Sequence, residues 1–146
     1  MEKRPEKLSD LIHFFESLPE NERRENLMLF ADKVKKWNPD PNILYDIEDI
    51  RKDKQCTDSV GVFVQINEDR AFFRMSLGPK VQTLTRAISS ILCEISEGEK
   101  IETIQAIEKE AISKIVGQEL VRLRSQTVYY ILERMKTALE QIQSGQ

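Results

Sequence analysis

Cys56 is the residue around which the sequence assembles the most chemistry. It follows a polar approach, Arg51-Lys52-Asp53-Lys54-Gln55, and precedes an alternating apolar run that begins at Val60. That order predicts a thiol on a loop at the edge of a sheet, where functional side chains concentrate. Arg51, Lys52 and Lys54 favour thiolate, while Asp53 and Asp58 oppose it, leaving a local balance of +1. An unperturbed thiol titrates near ~8.5, so modest help from neighbours changes its reactivity near neutral pH. An ordinary loop cysteine is the competing reading. Cys93 falls off the apolar stripe of a helix and is expected at the edge of the core or partly in solvent.

The partners that a thiol hydrolase needs are scarce. A Cys–His mechanism requires an imidazole beside the sulfur. The one histidine, His13, lies beside Phe14 and Phe15 on the first helix, and no spacing brings it to Cys56. The five glycines form neither a GxGxxG nor a GxxxxGK[ST] phosphate loop. There is no CxxC, and no cluster of His, Asp and Glu has metal-ligand spacing. The acidic pairs Glu20 and Glu22, and Glu108 and Glu110, read as solvated helix faces. Leu123-Arg124-Ser125-Gln126 reads either as an arginine held at a helix start near the reactive loop or as a surface arginine ahead of a helix. Pattern alone favours the second.

The 146 residues fit a single domain spanning 1–146. Hydrophobic residues make up 40% and charged residues 32%, the profile of a globular chain with a buried core. Lys and Arg number 22 against 25 Asp and Glu, for a net charge of −3. That balance argues against a sequence-independent nucleic-acid binder, which carries a clustered basic excess. No signal peptide and no apolar run near ~18 residues is present, which predicts a cytoplasmic chain with reduced thiols and no membrane partner.

The surrounding pattern predicts the elements that hold these residues. Leu8, Leu11, Ile12 and Phe15 recur at helical spacing. Leu27, Phe30, Ala31, Val34 and Trp37 line a second helix that Asn38-Pro39-Asp40-Pro41 stops. The period then becomes two. Tyr45, Ile47 and Ile50 mark a short strand. Val60, Val62, Val64 and Ile66 form a better one, and Ala71 to Leu77 returns antiparallel beyond the turn at 67–70. Val81 to Ile95 predicts a helix, Ile101 to Ile115 another, and Val128 to Ile142 a last one that Ser125 caps. The expected fold is α+β, with about three antiparallel strands packed against helices from both ends of the chain.

In this order, Cys56, the Val60 strand, Val81-Gln82-Thr83-Leu84 and Arg124-Ser125-Gln126 resemble the SufE family of sulfur acceptors for cysteine desulfurases. The resemblance covers nearly the whole chain. The family's GCxSxVW, VKGL and HLxPSRxxG stretches correspond to residues 55–61, 81–84 and 119–126. Cys56, Val60, Leu84, Leu120, Arg124 and Ser125 are kept. Gln55 stands for the glycine, Asp58 for the serine, Gly61 for the tryptophan, Thr83 for the second glycine and Glu119 for the histidine.

The resemblance implies that Cys56 takes persulfide sulfur from a cysteine desulfurase and passes it to an iron–sulfur cluster scaffold protein. Arg124, Ser125 and Asp58 would support it, with Arg124 stabilising thiolate or persulfide, or orienting the loop. This chain would be an accessory protein with no cofactor or metal of its own; the pyridoxal phosphate belongs to the desulfurase. Asp58 opposes thiolate formation, and Gln55 restricts the backbone if that position needs a positive φ. Two other readings stand beside it: a binding module that docks a protein without carrying sulfur, and a thiol enzyme with its own small substrate. Self-association into a homodimer is left open by the sequence.

Overall fold

The computed structural model describes residues 4–52 and 59–144, and an α+β architecture follows from the two periodicities. Helices α1 (Glu6–Glu16) and α2 (Glu20–Asp32) lead into a 3-10 turn (Val34–Trp37). Strands β1 (Ile47–Lys52), β2 (Ser59–Asn67) and β3 (Arg70–Leu77) follow. Then come α3 (Thr83–Ser96), a two-residue strand β4 (Glu99–Lys100), and helices α4 (Ile101–Gln105), α5 (Lys109–Val116) and α6 (Gln118–Ser144). The sheet is antiparallel throughout, in the order β1-β2-β3-β4. Among the described residues it therefore has four strands where the sequence predicts about three. The fourth pairs only with Arg70 and Ala71, too short a segment to carry a period of its own.

Register explains the sheet's two faces. Val60, Val62 and Val64 pair with Leu77, Met75 and Phe73, and these valines, Met75 and Phe73 are buried. Ile47, Asp49 and Arg51 share that inner face across β1, opposite Val64, Val62 and Val60. The alternate row carries Glu48 and Ile50 beside Phe63 and Gly61. Phe63 is buried as well, with Tyr45 edge-on at 5.5 Å between ring centroids. Full burial of each large apolar side chain contributes about 1.5–3 kcal/mol.

Helix α3 runs through the middle of the molecule, against α2, β3 and α6. Ala87, Ser89, Ser90 and Ser96 are buried along with its Ile and Leu stripe, because small side chains let neighbours approach on every side. This corrects the expectation for Cys93, which is fully buried rather than edge-lying. A single-stripe reading fails for a helix with packing partners all round.

Three further boundaries differ from the pattern. The second helix ends at Asp32, and the 3-10 turn carries Val34 and Trp37 into the core instead. The stripe from Ile101 to Ile115 is divided between α4 and α5, with Glu108 extended (φ −88°, ψ 144°) between them. A last helical run does begin at Ser125, but the non-helical residue that precedes it is Arg124 (φ −139°, ψ 39°), where two helical runs meet within α6 (Gln118–Ser144).

Candidate functional site

Strands β1 and β2 are joined by residues 53–58, so Cys56 and Asp58, like Gln55, lie outside the described residues. The two ends of that connection are fixed. Lys52 and Ser59 are register partners, and the Gly78 N–H donates to the Ser59 carbonyl at 3.0 Å. From Gly78 a polar path leads toward the last helix. Arg86 donates through Nη2 to the Gly78 carbonyl at 2.7 Å and through Nε to the Val81 carbonyl at 3.0 Å. Gln82, the next residue and the N-cap of α3, accepts a 2.5 Å hydrogen bond at Oε1 from Nη1 of Arg124. Arg124 thus reaches the segment that ties down the Ser59 end of the loop. The kink at Arg124 makes it the one non-helical residue inside α6. Ser125 follows the kink and is exposed.

A second cluster supports the same two strands from below. Arg134, only 3% exposed, projects from α6 under β1 and β2. Its Nη2 donates to the carbonyls of Asp49 (2.8 Å) and Val60 (2.9 Å), and Nη1 to the Tyr130 hydroxyl (2.7 Å). Its Nε faces the Asp49 carboxylate at 3.6 Å. Arg51 holds the other side of Asp49 with two hydrogen bonds, at 3.0 and 2.7 Å. These hydrogen bonds, led by Arg51 and reinforced by the charge of Arg134, keep the Asp49 carboxyl below its ordinary range against the opposing effect of burial. The result is a hydrogen-bonded root for the two strands that flank the connection carrying Cys56. The sequence reading missed Arg134 altogether. Its only signal is a charged residue inside the stripe of Ile131, Leu132 and Met135.

The other titratable candidates fall away from this site. Burial pushes the Cys93 thiol far above its ordinary range, only partly offset by the Arg74 charge, so Cys93 is a core side chain and no competing nucleophile. Arg74 is occupied by a two-pronged ion pair with Glu97 (2.9 and 3.0 Å) and stacks on Trp37. His13 is exposed in the last turn of α1. Among the described residues no three His, Cys, Asp or Glu side chains converge on a metal position.

A cleft of about 380 Å³ opens where the start of α2 meets the α5–α6 junction, lined by Glu20, Arg23, Arg24, Glu119 and Leu123. Gly117 turns the chain there at φ +95°, a backbone conformation that side chains with a Cβ rarely adopt, which favours glycine. The neighbouring Glu20 and Glu119 carboxyls act on each other across the cleft, which raises the Glu119 carboxyl and lowers that of Glu20, and Arg24 faces both at 2.9 and 3.9 Å. Both carboxyls are exposed, so Glu20 is the solvated helix-face acid that the sequence suggests, paired with Arg24 at 2.9 Å.

No protein-family model matches the chain, and no curated protein matches it significantly. Its fold is similar to the solution structure of a hypothetical protein from Thermus thermophilus, with a TM-score of 0.72 at 20% identity over 97% of this chain and 99% of that one. That likeness shows the α+β fold. No helix among the described residues is long and apolar enough to cross a membrane.

Proposed function

We propose that the chain is a sulfur acceptor that docks a cysteine desulfurase and carries persulfide sulfur on Cys56. The observation that supports this reading most is the hydrogen-bonded path from Ser59 through Gly78, Arg86, Val81 and Gln82 to Arg124. It links two segments that are far apart in sequence and that both belong to the SufE-like pattern. The burial of Cys93 supports it further by leaving Cys56 as the thiol available for exchange.

In this account the Cys56 thiolate attacks the outer sulfur of the desulfurase persulfide. The S–S bond of that persulfide breaks as the new one forms, and the desulfurase cysteine leaves as a thiolate. The outer sulfur keeps its proton, so no oxidant, reductant or general base is consumed. Rate then follows thiolate fraction, nucleophilicity and access, as in disulfide exchange. Arg124 acts as a cation near the exchange, stabilising the thiolate or orienting the loop. The persulfide then passes to an iron–sulfur scaffold protein, in a reducing cytoplasm where a free thiol persists.

Desulfurase turnover with free cysteine as substrate tests the reading. The wild-type chain is expected to accelerate alanine formation, Cys56→Ser to abolish that stimulation, and Cys93→Ser to retain it. Undiminished stimulation by Cys56→Ala would instead favour the binding module that docks without carrying sulfur.

A further inference from the structure

We propose that two copies of the chain associate through β1, antiparallel and about a two-fold axis at Ile50, to form one continuous eight-stranded sheet. Strand β1 closes one side of the sheet, and no strand lies beyond it among the described residues. An edge of this kind is a ready template for another strand. Ile50, at its centre, is 60% exposed, beside Gly61 on the outer face.

The order of charges along β1 selects the partner. The strand reads Ile47-Glu48-Asp49-Ile50-Arg51-Lys52, two acids, an isoleucine, then two bases. Charges that merely guard an edge can be of one sign, whereas these are arranged as a charge-inverted palindrome. A two-fold axis perpendicular to the sheet requires one residue to face its own copy, because residues directly opposite each other must project from the same face. Centred on Ile50, the register sets Glu48 opposite Lys52 of the second copy and Asp49 opposite Arg51 of the second copy. Ile50 then meets Ile50. Across residues 48–52 every cross-strand pair is either opposite in charge or apolar, and symmetry makes each charged pair occur twice.

The neighbouring registers lack this property. Centring on Asp49 puts that carboxylate against itself, and centring on Arg51 puts two guanidinium groups against each other. Like charges directly opposite are destabilising. The Asp49–Arg51 pair within each chain lies on the inner face of the same strand, so pairing would extend it into a row of alternating charges across the axis. A single strand pair sits at the small end of specific interfaces, which predicts a dimer that dissociates on dilution.

Sedimentation velocity across a concentration series, with each variant's fold checked by circular dichroism, tests the proposal. The wild-type chain is expected to dimerise, Glu48→Lys and Lys52→Glu each to weaken association by about tenfold, and the double reversal to restore it. On the unaltered chain, β1 amides should gain hydrogen-exchange protection as concentration rises. A wild-type chain that stays monomeric up to ~1 mM overturns the proposal. So does a dimer indifferent to the single reversals, a double reversal that fails to recover, or β1 protection independent of concentration.

Discussion

Arg134 holds Asp49 by two routes at once: its Nη2 donates to the Asp49 carbonyl at 2.8 Å, and its Nε faces the Asp49 carboxylate at 3.6 Å. The same Nη2 reaches Val60, so one guanidinium fastens both strands that flank the Cys56 connection to α6. Removing one partner of a buried ion pair costs roughly 3–5 kcal/mol, because the other group is left buried without compensation. Arg134→Ala is expected to lose about that much in urea unfolding at unchanged m. Arg134→Lys should recover little of it, since a single ammonium cannot span two carbonyls and the Tyr130 hydroxyl.

The Asp49 carboxyl carries a pH signature. Its folded pKa lies below its ordinary value of 3.8, mainly through the Arg51 hydrogen bonds. The unfolded chain therefore binds a proton at this group more readily than the folded one does. Ionised Asp49 stabilises the fold fully above that ordinary value, and the contribution is lost as pH falls through the lower, folded one. Unfolding free energy measured between neutral and strongly acidic pH should fall at the acid end for the wild type. Asp49→Asn should be less stable at neutral pH and flatter there, and an unchanged acid slope would contradict this assignment.

Gly61 permits the close row on the outer face. A Cβ at this position would collide with Oγ of Ser76 and lie 3.0 Å from Cε1 of Phe63 and 3.1 Å from Cγ1 of Ile50. Overpacking of this kind costs about 1–3 kcal/mol. Gly61→Ala should lower the thermal midpoint accordingly, and adding Ser76→Ala, which removes the clashing hydroxyl, should recover part of the loss.

Much of this arrangement was legible from residue pattern. The β2–β3 hairpin followed from the alternation of Val60 to Ile66 and the turn at 67–70, since each valine on the inner row is buried. The stripe from Ile101 to Ile115 marked the buried Ile104, Ile107, Ala111 and Ile115 but passed over Ile112 and Val116 and hid the division into α4 and α5. Both helices turn their apolar side toward the same core, so spacing alone does not reveal an extended residue between them. Arg134 was illegible for a different reason. Its partners, Asp49 and Val60, lie 85 and 74 residues away, and only their convergence makes a buried arginine tolerable.

The position of Cys93 gives a further check. With its thiol in the core and its ionisation suppressed by burial, Cys93 should resist aqueous thiol reagents. In the Cys56→Ser chain, a colorimetric thiol titration is expected to register no sulfur under native conditions and one after denaturation. Fast native labelling would mean that α3 opens far more readily than its packing implies.

The central claim is that Cys56 receives sulfur, and intact mass tests it most directly. The purified chain is incubated with a cysteine desulfurase, its pyridoxal phosphate and free cysteine, then weighed and mapped by peptide. The account predicts one added sulfur, removable by a reductant, on the peptide that contains Cys56 and none on the peptide that contains Cys93. No gain of sulfur with any of several desulfurases, or a gain on Cys93 alone, would contradict it.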